Sequence, residues 1–318
     1  MEHISNYLLQ QYGANVLHHA AKNDDVDLIR MLLATGVDVN QQNEYGNTAL
    51  FFVTSIEAVR LLINAGIDIN HQNNHNNTVL HKACNVIGLM MATEDAEDQE
   101  AACETVYSII QLLLDSGANV NAQNNDGDSC LHKICDSNIW PDFPTLTIST
   151  PFTKLVNTDL INLLLTSGAN INLPNNKGRT PLYYTHTVAT ARLLLSNGAD
   201  VNHQDMDGNT ALHLAYEIPI ATVLIETANI NLHNKSDQSA LDTAIADRRF
   251  GIAKLLSGID NHKFDNWVEQ LSADICPICR ETINDVCITD CAHAFCKECI
   301  DMWRTTEHTH CPLCREPL

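Results

Sequence analysis

Positive charge is scarce in this chain. Lys and Arg number 18 against 39 Asp and Glu, a formal net charge of -21 over 318 residues. A general nucleic-acid binder needs a basic stripe to displace counterions from phosphates, so the balance argues against nucleic acid as a partner. It argues equally against an anionic membrane surface and fits a solvated acidic exterior. Long apolar runs are missing too, since none nears the roughly 18 to 20 residues that span a bilayer. The opening MEHISNYLLQQYGANVLHHA has neither the basic start nor the apolar core of a secretory signal. Without an export signal, the 12 Cys read as reduced thiols or metal ligands, not disulfides. A cytoplasmic or nuclear location is expected.

What the chain has is concentrated at its end. Seven Cys and one His follow one another as Cys276, Cys279, Cys291, His293, Cys296, Cys299, Cys311 and Cys314. The gaps between them are 2, 11, 1, 2, 2, 11 and 2 residues. Each close pair can place two donors on a tetrahedral zinc, with sulfur about 2.3 Å from the metal. Eight ligands fill two closed sites, so two structural zinc ions are expected and no open position remains for catalysis. Cys287 breaks the spacing and lies in an alternating Val-Cys-Ile-Thr stretch, which reads as a strand residue used in packing.

Upstream, one phrase recurs: a Leu-rich run, Gly, a small or branched residue, then Asp or Asn, an apolar residue and Asn. It reads MLLATGVDVN, LLINAGIDIN, LLLDSGANVN, LLLTSGANIN and LLLSNGADVN, with a worn copy VLIETANIN at 223–231. A second phrase follows each, as in NNTVLHKA, GDSCLHKI, GRTPLYY and GNTALHLA. Gly36, Gly66, Gly117, Gly168 and Gly198 suit the positive φ of a helix C-terminus, and Gly46, Gly127, Gly178 and Gly208 a tight turn. Thr48, Thr78, Ser129, Thr180, Thr210 and Ser239 precede each new apolar run and are expected to cap its helix. No single unit can bury its apolar face, so neighbours must stack.

These phrases resemble the ankyrin-repeat family over residues 13–258, in about seven units. The resemblance implies a mostly α fold, with antiparallel helix pairs stacked into a solenoid that binds a protein partner. Units two, five and six are short of residues before their Leu-rich runs, so their first helices should be short. Unit six also contains Pro219. Insertions stand near 85–105, acidic and able to extend a helix, and near 136–158, which carries Trp140, Phe143 and Phe152. Insertions in solenoids map to loops that often bind, making Trp140 and Phe143 candidate substrate contacts. Covering the flank of their own repeat is an equal reading. His18, His81, His132 and His213 recur at one position and read as residues bonding to backbone, while Cys84, Cys103, Cys130 and Cys135 read as small apolar fillers. No nucleophile–base arrangement can be argued within the repeats.

The C-terminal block resembles the RING finger family. The resemblance implies a cross-brace: Cys276, Cys279, Cys296 and Cys299 on one zinc, and Cys291, His293, Cys311 and Cys314 on the other. It also implies ubiquitin ligase activity, in which a conjugating enzyme charged with ubiquitin docks on Ile278, Trp303 and Pro312 while Arg315 bridges to ubiquitin. Domains are expected at 1–260 (repeats), 261–273 (a linker helix) and 274–318 (the zinc domain). The expected partners are a conjugating enzyme, ubiquitin and an unknown substrate protein on the repeats, with a homodimer through the RING left open. The alternative is a non-catalytic adaptor whose zinc domain only docks or self-associates. Asn-rich, uneven repeats joined to a RING resemble proteins of large DNA viruses, which would place the chain in host cytoplasm.

Overall fold

The computed structural model describes residues 15–90, 96–136, 151–258, 286–288, 294–296 and 300. They fall into two compact units, residues 1–185 and 186–318. The first unit holds α1 (Val16–Lys22), α2 (Val26–Ala34), a 3-10 turn (Ala49–Phe51) and α3 (Ile56–Asn64). There follow α4 (Val79–Met90), α5 (Ala96–Asp115), α6 (Cys130–Cys135), α7 (Pro151–Thr166) and a second 3-10 turn (Pro181–Tyr184). The second unit holds α8 (Val188–Ser196), α9 (Ile218–Ile225), α10 (Ala240–Ala246) and α11 (Phe250–Ser257), then the strands β1 (Val286–Ile288) and β2 (Ala294–Cys296). The chain is mostly helical, and among the described residues no helix is long and apolar enough to cross a membrane.

Within the first unit the helices form two stacked rows. α1, the Ala49–Phe51 turn, α4, α6 and the Pro181–Tyr184 turn pack successively in one row; α2, α3, α5 and α7 pack successively in the other. The core runs between the rows, through Leu17, Ile29, Leu32, Leu50, Leu62 and Leu113, all nearly or wholly buried. In the second unit α8, α9 and α11 form one row, and α10 packs on α11.

The irregular repeats behave as their lengths require. First helices of the shortened units reduce to the single turns Ala49–Phe51 and Pro181–Tyr184, and to hydrogen-bonded turns over 211–214. Pro219 does not break a helix. It stands in the first turn of α9, where a missing N–H costs nothing. The acidic insertion lengthens the elements on both sides of it, α4 to 12 residues and α5 to 20. Part of the second insertion becomes the start of α7. The boundary expected at 261–273 lies outside the described residues.

The capping expectation needs a correction. Ser239 caps α10 in a reciprocal box with Asp242, but Thr48 and Thr180 accept no cap bond, and their buried hydroxyls have no partner. The reason lies three residues on. The hydroxyls of Thr78, Ser129 and Thr210 lie 2.9, 2.9 and 2.8 Å from Nδ1 of His81, His132 and His213. After Thr48 and Thr180 the same place holds Phe51 and Tyr183, which present no acceptor nitrogen.

Candidate functional site

Two regions bear on function: the repeat surface and the zinc-finger block. In the repeats, the recurring His residues are fasteners. The backbone N–H of Thr78 donates to Nδ1 of His81 at 3.2 Å, so Nε2 carries the hydrogen and donates 3.0 Å across to the carbonyl of Asp128 in the next repeat. His132 does the same to Arg179, and His213 to Gln238. His18 reaches the Asn47 carbonyl at 2.8 Å. Burial pushes the pKa of all four below the ordinary value of 6.5, keeping them neutral. Asn side chains tie the loop tips in parallel: Asn73 donates to Asn47, Asn124 to Asn77 and Asn175 to Asp128.

Asp128 shows how charge is managed here. Burial alone would disfavour its carboxylate, but Lys133 at 2.7 Å and Asn175 at 2.7 Å hold its pKa below the usual range. Every group in this cluster is spent on joining repeats, so none is poised as a base. Cys84, Cys130 and Cys135 are buried and free, as their reading as fillers requires. Cys130 Sγ donates to the Val120 carbonyl, and burial pushes the Cys135 thiol far up, so neither is a nucleophile. Cys103 has no described side chain.

A groove that sequence reasoning missed opens on the first unit. It is walled by Leu50, Val53, Val79, Val106 and Ile109, with Lys82 on its edge and a cavity of about 80 Å³. It lies where the single turn Ala49–Phe51 meets the lengthened α4 and α5. The available signal was that length mismatch between units two and three. Trp140 and Phe143, the expected substrate contacts, lie outside the described residues.

In the zinc-finger block, β1 and β2 pair antiparallel with Val286 opposite Cys296, Cys287 opposite Phe295 and Ile288 opposite Ala294. The expected strand at Cys287 is therefore present. Strand positions alternate between faces, and Cys287 and Cys296 sit in opposite phases of the hairpin register. A five-residue connection, 289–293, joins the strands and carries Cys291 and His293 in sequence. Ile300, directly after Cys299, is fully buried. Of the eight expected ligands only Cys296 has a described backbone. Cys276, Cys279, Cys291, His293, Cys299, Cys311 and Cys314 lie outside the described residues, as do Ile278, Trp303, Pro312 and Arg315. Among the described residues no group of three or more His, Cys, Asp or Glu could hold a metal. The donor set itself, thiols and one imidazole paired closely in sequence, fits zinc.

The ankyrin-repeat model matches residues 17–92, 152–234 and 185–265, more than half of the chain, and a single-repeat model matches 75–125. The chain belongs to the ankyrin-repeat family. The same comparison matches residues 276–314 to "Zinc finger, C3HC4 type (RING finger)", so this ankyrin-repeat protein ends in a RING finger, a zinc-binding fold.

Solved structures agree on the repeats. The human ASB11 ankyrin repeat domain superposes with a TM-score of 0.51 at 23% identity, over 71% of this chain and 90% of that one. The ankyrin repeat domain of Bcl-3 gives 0.52 at 24%, over 75% and 97%. Among curated proteins, an E3 ubiquitin-protein ligase of Danio rerio, RNFT1, is 48% identical over 44 residues, which are 14% of this chain and 10% of that protein. The mouse E3 ubiquitin-protein ligase TRIM31 is 44% identical over 48 residues, again 14% and 10%. An ankyrin repeat protein of Acanthamoeba polyphaga mimivirus is 28% identical over 152 residues, 46% of this chain and 24% of that one. The chain thus spans a tenth or less of the first curated relatives it matches.

Proposed function

We propose that this ankyrin–RING chain is a RING-type ubiquitin ligase: the repeats bind a substrate protein and the RING recruits a ubiquitin-charged conjugating enzyme. The observation that carries the reading is the C3HC4 match over 276–314; Ile278, Trp303 and Pro312 fall within it and Arg315 directly follows it, where the resemblance implies docking. Relatives over that block include named ubiquitin ligases. Zinc would supply a cross-link between distant segments of a domain too small for a large core. Cys276, Cys279, Cys296 and Cys299 would hold one ion, and Cys291, His293, Cys311 and Cys314 the other.

The chain forms no covalent intermediate. Ile278, Trp303 and Pro312 dock the conjugating enzyme, and Arg315 steadies ubiquitin against it. A substrate lysine amine then attacks the thioester carbonyl. An isopeptide bond forms, the carbon–sulfur bond breaks and the enzyme's cysteine leaves as the thiol. The chain contributes proximity and orientation. The proposed setting is cytoplasmic or nuclear, and the mimivirus relative supports a viral origin and hence host cytoplasm.

Incubation of the full chain with ubiquitin, activating enzyme and a panel of conjugating enzymes should give self-ubiquitination with at least one of them. Failure with all of them sinks the reading. The Ile278→Ala, Trp303→Ala double variant should abolish transfer, and retained transfer would show the docking groove to be misplaced.

A further inference from the structure

The groove beside Lys82 has a charge that the described residues leave unanswered. Lys82 and Lys133 follow the His of the same phrase, LHKA and LHKI, one repeat apart. Lys133 is neutralised by Asp128 at 2.7 Å, five residues before it. Five residues before Lys82 stands Asn77, and among the described residues no carboxylate lies within ion-pair distance of Lys82. Its ammonium instead donates to the Phe51 carbonyl and lies 5.1 Å from the centre of the Phe52 ring. Burial pushes its pKa down, so an arriving carboxylate would relieve a cost already present.

The groove also has a cause in the chain. A repeat whose first helix is one 3-10 turn lies next to a repeat whose helices are lengthened to 12 and 20 residues. The step between them leaves a small recess bordered by Val53 and by the edges of the buried Val79, Val106 and Ile109. An apolar recess edged by one cation suits a side chain that is apolar with an acid beside it.

We propose that this groove is the substrate-recognition site of the repeats, and that it takes a protein segment presenting an aliphatic side chain directly beside Asp or Glu. The aliphatic group enters the recess between Val79 and Ile109, and the carboxylate pairs with Lys82. This rests on the repeats being the substrate-binding part of the proposed ligase, but peptide binding is read without ubiquitin transfer, so the two can fail separately.

Selection of a random peptide display library on the full-length protein should enrich an apolar residue flanked by Asp or Glu. The selected peptide should bind Lys82→Met about tenfold more weakly than wild type, while its amide counterpart (Glu→Gln or Asp→Asn) should bind both proteins alike. Lys82→Met keeps the bulk of the side chain, and an unchanged thermal midpoint verifies that the fold is intact. Lys82→Glu should reverse the preference toward peptides carrying Lys. A consensus without acidic residues, or equal loss for acid and amide peptides, would overturn the proposal. Self-association of the chain that Lys82→Met abolishes would also overturn it, by assigning the groove to a second copy. Peptide binding without self-ubiquitination would leave the groove standing and remove the ligase reading; self-ubiquitination without any selected peptide would do the reverse.

Discussion

Two kinds of glycine look alike in the repeated phrases and differ in what surrounds them. Gly117, at φ +93°, has nothing within 4 Å of where a Cβ would stand. Gly127, at φ +75°, would put a Cβ 2.5 Å from the backbone nitrogen of Asn176 in the next loop tip. Gly117→Ala should therefore cost about 1 kcal/mol, from the left-handed backbone alone. Gly127→Ala should cost clearly more, because the bond from Asn176 N–H to the Asp126 carbonyl must also move. Chemical denaturation of the two variants checks the order. The recurring Thr gives a second residue-level contrast. Thr48→Val removes an unpaired buried hydroxyl and should be neutral or stabilising. Thr78→Val breaks the contact with His81 and should cost about 1 kcal/mol.

At the scale of elements, a missing helical turn has a substitute. Over 211–214 the chain makes turns in place of a helix. Arg249, at the start of α11, reaches back: Nη1 donates to the Ala215 carbonyl, and Nη2 to the His213 carbonyl at 2.7 Å. Asp247 pairs with it at 3.1 Å and the exposed Tyr216 ring lies 5.2 Å from the guanidinium. Arg249→Met should cost about 2 kcal/mol, chiefly by leaving the Ala215 carbonyl unsatisfied while the Thr243 hydroxyl still donates to that of His213, read as a lower midpoint in denaturant. The His fasteners make a pH prediction for the same elements. Burial holds the folded pKa of His18, His81, His132 and His213 below 6.5. As pH falls through 6.5, the unfolded chain takes up protons that the folded chain refuses, so their stabilising contribution is complete above that value and lost below it. Melting temperature should drop as the pH is lowered below about 6.5, with the slope reduced in His132→Gln.

For the whole molecule, the repeats and the zinc finger are held by different forces. The repeats rest on stacked apolar rows and inter-repeat hydrogen bonds, whereas the RING depends on its ligands. Chelation of the full chain should abolish ubiquitin transfer while most of the helical circular-dichroism signal remains, since the described helices lie at 16–257. A loss of most helix on chelation would contradict this separation. The acidic balance of -21 belongs to this scale as well, as a solvated exterior.

The repeated phrases, the shortened first helices, the positive-φ glycines and the C3HC4 pattern of the RING finger were all legible in the sequence. Each is local: a turn needs its Gly within a few residues, a helix needs its length, and a zinc-finger pattern needs its gaps. Other features needed neighbours brought together across 25 to 50 residues of chain. Whether a Thr hydroxyl caps or stands orphaned depends on the residue three places on and on what packs over it. That Arg249 completes a turn more than thirty residues earlier depends on where stacking places α11. Lys82 and Lys133 read identically in LHKA and LHKI. Only the tertiary structure set one against Asp128 and left the other on the rim of a groove, because a groove is the space between elements of unequal length and no single segment encodes it.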